Sequence, residues 1–276
     1  MRHYATYFDT NYMAQGVALH DSMQRHCQPY HLHILALDEG VEQVGRTLDN
    51  VTVVPLQDFL TDELRAATAE RTHRETIWTY TPGWMLYVLG VEPAAPSVNY
   101  IDADCFFFDN PQPVFNEIGE SPIAITPHRF PLRAKHFEVN GLYNVGLVHI
   151  KRAGLACLRE WERLCLEWCC EQSDGKRFAD QKYWDDLVPK YGVHVIEHLG
   201  ANLAPWNQEQ YSYHTRDGKL LVTSEYLLWY HFHQGLDPKW PINEYVKDYC
   251  YCRYETALHD AYLRAKETMW GYGVSP

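Results

Sequence analysis

Short apolar runs and longer helical stripes take turns along this chain. Tyr4–Phe8, His31–Leu37 and Val51–Pro55 are apolar runs closed by polar residues, the pattern of buried strands. Between the first two, Asn11–Cys27 carries Ala14, Val17 and Ala18 on successive turns of a predicted helix. Asp9, Thr10 or Asn11 can cap it. Asp38-Glu39-Gly40 reads as a turn, Thr61–Thr72 as a polar helix, and Arg74–Leu89 as an aromatic helix interrupted at Pro82-Gly83. The run around Val98 and Ile101 is another buried strand, turned at Asp109-Asn110-Pro111. Further strands are expected at Ile123–Thr126, Tyr143–Ile150, Val193–Ile196, Leu220–Thr223 and Leu227–Phe232. His128–Gly141 reads as a polar, basic loop. In Gly154–Glu171, Leu155, Leu158, Trp161, Cys165 and Trp168 recur at helical spacing and mark a core-facing helix. Phe178–Lys182 opens a short helix, and Tyr254–Trp270 is the closing one. Strands alternating with helices predict an α/β domain built on a mostly parallel sheet, with ligands bound beyond the strands' carboxyl ends. Asp9, Asp38 and Asp102 all fall at such ends.

Composition narrows the function. A chain of 276 residues suits one domain with elaborations. The formal charge of −12 opposes a nucleic-acid footprint, which needs a basic face. No apolar stretch approaches the ~20 residues that span a bilayer, and Met1-Arg2-His3-Tyr4 runs into a strand pattern without a signal-peptide core. The eight cysteines lack a Cys-x-x-Cys pair. Cys165 and Cys169 are spaced to share a helix face, yet reduced buried thiols are the expected reading, and with them a cytoplasmic location. No glycine-rich phosphate loop of the Rossmann or Walker type is present, so a bound diphosphate must be held by metal and basic side chains.

The chemistry centres on Tyr100-Ile101-Asp102-Ala103-Asp104-Cys105. If the strand continues through it, Asp102 and Asp104 share one face with Ala103 on the other. Two carboxylates that close are costly to desolvate unless a cation neutralises them. Mg²⁺ or Mn²⁺ takes one or two carboxylates together with phosphate oxygens.

Four segments in order resemble the GT-A glycosyltransferases, especially the retaining family of glycogenin and bacterial lipopolysaccharide galactosyltransferases. They are Ala5-Thr6-Tyr7-Phe8-Asp9-Thr10-Asn11-Tyr12, the Asp102-Ala103-Asp104 motif, Tyr143-Asn144-Val145-Gly146-Leu147-Val148 followed by Asp180-Gln181, and Tyr230-His231-Phe232. The resemblance spans residues 4–240. It implies a single GT-A, Rossmann-like domain over 1–240, with 241–276 a helical extension packed on it. In that family the opening segment, here from Thr6 to Tyr12, holds the donor's base and ribose. By the resemblance Tyr12 stacks on the base, Asp9 or Asn11 accepts its N–H, and Asp102 bridges metal and ribose. Asp104 and His231 ligate Mn²⁺ or Mg²⁺, with His233 an alternative to His231. Asn144 and Asp180 hydrogen-bond sugar hydroxyls, and Gln181 lies near the anomeric carbon. The lysine that holds the diphosphate falls at Lys239, slightly farther on than the family's own, and Arg74 is a candidate for the basic residue before the acidic motif.

The function so implied is metal-dependent transfer of a sugar from a nucleoside diphosphate, UDP first, to a hydroxyl of a saccharide or glycolipid. A neutral amide at 181 favours retention, and the setting is bacterial-type polysaccharide or glycoconjugate synthesis. A glycolipid acceptor would bring the protein to a membrane surface without a spanning segment. Two other classes are a non-catalytic nucleotide-sugar-binding protein of the same fold and a haloacid-dehalogenase-like phosphatase. The latter also uses Asp-x-Asp after a strand, but a Thr or Val is expected where Phe106 stands.

Overall fold

A computed structural model describes residues 1–271; residues 272–276 of the expected carboxyl-terminal extension lie outside the described residues. The main sheet is built from β1 (Arg2–Phe8), β2 (Tyr30–Ala36), β3 (Val51–Pro55) and β4 (Ser97–Ile101). After a short β5 (Cys105–Phe107) it is completed by β6 (Ile123–Pro127), β7 (Tyr143–Lys151) and β8 (His194–Val195). The seven strands lie in the order β3-β2-β1-β4-β7-β6-β8. β7 runs antiparallel to both its neighbours, and the other pairings of this sheet are parallel.

Period-two alternation sends the two faces of each strand into separate cores. Tyr4 and Phe8 of β1, with Leu32 and Ile34 of β2, join the Met13–His26 and Cys252–Gly271 helices. Ala5 and Tyr7, with Leu35, Val98 and Tyr100, join the His73–Val91 and Leu155–Glu167 helices on the other side. Both faces are covered, which is why these strands are apolar throughout rather than alternating.

Further along, β9 (Tyr213–Arg216), β10 (Lys219–Val222) and β11 (Glu225–Tyr226) make a small antiparallel sheet, and β12 (Trp229–His231) pairs antiparallel with β5. That last pairing sets Trp229 opposite Phe107 and His231 opposite Cys105. The carboxyl-terminal helix braces it: the Tyr254 ring stacks on Phe232 with centroids 3.7 Å apart, and the Tyr251 and Tyr230 hydroxyls are 3.3 Å apart.

Several local expectations are corrected. The His73–Val91 helix runs unbroken through Pro82 and Gly83, both buried. Its capping box of Thr72 and Glu75 and its packing between sheet and Leu155–Glu167 helix outweigh the hydrogen bond that proline forfeits. Asp38 is not a turn residue but the N-cap of a helix over Glu39–Gly45, accepting from the Val41 N–H. Phe178–Lys182 is a turn, and the helix there is Trp184–Tyr191. The loop after His128 holds a 3-10 segment over Leu132–Asn140. All eight cysteines are unpaired thiols, six of them buried. Among the described residues no helix is long and apolar enough to cross a membrane.

Candidate active site

β4 stops at Ile101, so Asp102-Ala103-Asp104 is a turn into β5 and not a strand with two carboxylates on one face. The Cys105 N–H closes that turn on the Asp102 carbonyl at 3.0 Å. The carboxylates converge because the turn folds them toward β12, where His231 waits. His231 Nε2 is 3.1 Å from Asp104 Oδ1 and 3.5 Å from Asp102 Oδ2. Asp104, His231 and His233 each offer one ligand atom within 4.8 Å of the others. One oxygen and two imidazoles, with a second carboxylate alongside, is a donor set that suits Mn²⁺ and other divalent cations.

His231 is held in one orientation. Asn144 Oδ1 accepts from the Gly146 N–H at 3.0 Å and from Asn202 Nδ2 at 3.0 Å, which identifies it as the carbonyl oxygen. His231 Nδ1, 3.2 Å from that same oxygen, therefore donates to it, which turns Nε2 toward the acidic turn. Gly146 is required by the crowding: a Cβ there would lie 2.5 Å from Asn144 Oδ1 and 2.6 Å from His231 Nδ1. The Trp206 indole walls the histidine edge-on at 5.2 Å between centroids.

Charge follows from this geometry. Burial depresses the His231 imidazole, but the Asp104 and Asp102 carboxylates outweigh it and raise its pKa. Burial raises Asp104, and the His231 charge and hydrogen bond more than reverse that, holding it below the usual carboxylate range. Asp102 stays raised, chiefly by burial and then by Asp104, against the pull of His231. Tyr100 donates to Asp102 Oδ1 at 2.8 Å and fixes that side chain. Asp180 is buried, and burial followed by the Asp102 charge raises it to about 7.

The remaining expected site residues are distributed as follows. Asp9 caps the 3-10 turn Thr10–Tyr12, accepting from the Asn11 and Tyr12 N–H groups, and its other oxygen meets Asn11 Nδ2 and His73 Nε2. Tyr12 stands nearly half exposed at the rim, 46% open to solvent, while Thr6 is fully buried in β1. Gln181 Nε2 donates to the Asn140 carbonyl at 2.9 Å, tying the Asp180-Gln181 turn to the loop after β6. The Trp161 indole anchors the same turn through the Asp180 carbonyl. Lys239 is exposed and its backbone N–H bonds Gln234, while Arg74 pairs with Glu171. Three groups escaped sequence reasoning: Tyr100, Asn202 and Thr81, which bonds Tyr7. Tyr100 reaches Asp102 across the end of β4, where strand period no longer applies, and the other two arrive through long-range packing alone.

This sheet order, with its reversed β7 and an acidic turn meeting a late histidine strand, is the fold of the GT-A nucleotide-sugar glycosyltransferases. The solved structures that resemble it include the galactosyltransferase LgtC in complex with donor and acceptor sugar analogues, at TM-score 0.56 and 16% identity, covering 94% of this chain and 95% of that one. Mouse xyloside xylosyltransferase 1 matches at TM-score 0.54 and 15% identity, over 88% of this chain and 99% of that one. GlyE, a glycosyltransferase of Streptococcus pneumoniae TIGR4, matches at TM-score 0.57 and 13% identity, over 100% of this chain and 64% of that one. By sequence the chain is similar to two uncharacterised Bacillus subtilis proteins. YfnD is 28% identical over 238 residues, 83% of this chain and 76% of YfnD; YfnF is 29% identical over 246 residues, 83% and 80%. No family model matches the chain.

Proposed function

We propose that this chain is a metal-dependent glycosyltransferase that moves a sugar from a nucleoside diphosphate, UDP first, to a hydroxyl of a saccharide or glycolipid. The observation that carries the reading is the meeting of Asp102 and Asp104 with His231 at the carboxyl end of β4, where open α/β sheets bind ligands. Asp104 and His231 would hold Mn²⁺ or Mg²⁺, with Asp102 reaching metal and ribose and His233 next in line. A bound divalent ion neutralises the charge on the departing diphosphate. Asn144 fixes His231 and keeps its amide nitrogen for a sugar hydroxyl. Tyr12 is the stacking platform for the base, with Thr6, Asp9 and Asn11 shaping that pocket, and Lys239 is the cation nearest in sequence for the diphosphate. Asp180 bonds sugar hydroxyls, and Gln181 faces the anomeric carbon. A neutral amide cannot form a glycosyl ester, so the acceptor hydroxyl attacks from the face the diphosphate leaves, with retention. Residues 1–240 carry this chemistry, and the helical part of 241–276 buttresses it.

Binding tests the reading first. UDP with Mn²⁺ should raise the melting temperature, and UDP with EDTA should not, because a ligand that binds only the native state stabilises it by mass action. If no nucleoside diphosphate shifts the melt under either condition, the donor assignment is wrong. NMR of the initial product reads the stereochemistry: inversion would remove the retaining assignment and leave the fold untouched. Hydrolysis or transfer with any nucleotide sugar separates an enzyme from a binding protein.

A further inference from the structure

At the opposite end of the sheet from the acidic turn, three histidines and a glutamate come together. β1 and β2 are parallel, with His3 paired to His31 and Ala5 to His33. The strand period therefore puts His3, His31 and His33 on one face, near the strands' amino ends. Their rings are close: His3 stacks with His33 at 5.4 Å, His31 meets His33 edge-on at 4.8 Å, and His3 Nδ1 is 3.1 Å from His33 Nε2. Glu92 joins them from the carboxyl end of the His73–Val91 helix, and its position is fixed by Arg152 Nη2, which donates to its backbone carbonyl at 2.7 Å. His3, His33 and Glu92 each offer one ligand atom within 4.8 Å of the others.

His33 Nε2 faces His3 Nδ1, and the far nitrogen of the His33 ring is unmatched. His31 Nε2 is engaged by Thr52 Oγ1 at 2.8 Å, but His33 is fully buried and its Nδ1 has no partner among the described residues.

We propose that His3, His33 and Glu92 form a second metal site, of the Zn²⁺ class with its fourth position open to water, separate from the acidic turn. Two imidazoles and a carboxylate are a common zinc donor set. Zinc–nitrogen bonds of about 2.1 Å in a tetrahedron put ligand nitrogens roughly 3.4 Å apart, close to the 3.1 Å separation of His3 and His33. Glu92 is only half-buried and is the ligand able to swing in; His31, also half-buried, flanks the way in from solvent. The carboxyl end of a long helix favours a cation there. Bound zinc would clamp the amino ends of β1 and β2 to that helix.

The test is a calorimetric Zn²⁺ titration of the chelator-stripped full chain, alongside His3→Gln, Glu92→Gln and Asp104→Asn, each checked for folding by circular dichroism. Glu92→Gln alters a half-exposed surface position and keeps the test valid if His3→Gln fails to fold. The expected result is one Zn²⁺ equivalent that survives Asp104→Asn and weakens at least ~10-fold in His3→Gln or Glu92→Gln. Its saturation should raise the melting temperature of wild type and of Asp104→Asn but not of the other two variants. The proposal is overturned if every equivalent disappears with Asp104→Asn, or if the folded His3→Gln and Glu92→Gln chains bind Zn²⁺ as wild type does.

Discussion

Gly146 sits where three side chains need the space a Cβ would take. Its N–H donates to Asn144, its carbonyl accepts from the Asp102 N–H at 3.3 Å, and His231 occupies the space a side chain at 146 would need. Gly146→Ala should push Asn144 off His231, at a stability cost of roughly 1–3 kcal/mol for overpacking. Mn²⁺-dependent UDP binding should fall ~10–100-fold, the usual effect of losing a histidine's supporting contact. Calorimetry with UDP and Mn²⁺ measures this, and unchanged affinity would show that the Asn144–His231 contact does not orient the ring. Asp109→Ala is the matched control: Asp109 lies just past β5, paired with Lys219 at the surface, and its loss should leave metal-dependent binding intact. His231→Ala and Asp104→Ala should each abolish that binding.

At the scale of elements, the pairing of β5 with β12 is what makes a site of two distant segments, and the carboxyl-terminal helix is what holds β12 down. Tyr254 is fully buried against Phe232, and its hydroxyl has no hydrogen-bond partner among the described residues. The ring therefore matters and the hydroxyl does not. Tyr254→Ala should cost about 3–5 kcal/mol, as large aromatic truncations do. Tyr254→Phe should leave stability unchanged or raise it by about 1 kcal/mol, because it removes an unpaired buried polar group. Urea unfolding of both variants distinguishes the two; a destabilised Tyr254→Phe would mean that the hydroxyl has a partner after all.

For the whole molecule, acid should act through buried histidines. Burial holds His33 and His128 down to about 3 and His149 down to about 4, against an ordinary value of 6.5. The unfolded chain takes up these protons near pH 6.5 and the folded chain does not, so stability is full above that value and falls as pH drops toward the folded values. By about pH 5 each such histidine would cost on the order of 2 kcal/mol. His149 is the one to test, since its Nδ1 bonds the buried Asn99 at 2.7 Å and it belongs to neither candidate metal cluster. In chelator, His149→Gln should lose less stability than wild type between about pH 7 and pH 5. Equal losses would show that His149 is not one of the groups through which acid acts.

Period-two apolar runs, helical stripes and polar punctuation were enough to read the α/β class, the mostly parallel sheet and most of its strands from the residues alone, because side-chain periodicity is a local property of the backbone. The acidic motif and its place at a strand end were legible for the same reason. Local signals misjudged Pro82, Asp38 and the strand through Ala103. In the first, packing on both sides outweighed a lost hydrogen bond; in the second, a capping aspartate looks like a turn; in the third, the chain had to bend to reach β5. Tertiary structure alone decided that His231, far along the chain, faces Asp104 with its Nε2, that Asn144 and Asn202 hold it there, and that His3, His33 and Glu92 converge at the far end of the sheet. Those juxtapositions depend on strand order and register between distant segments, which no local pattern encodes.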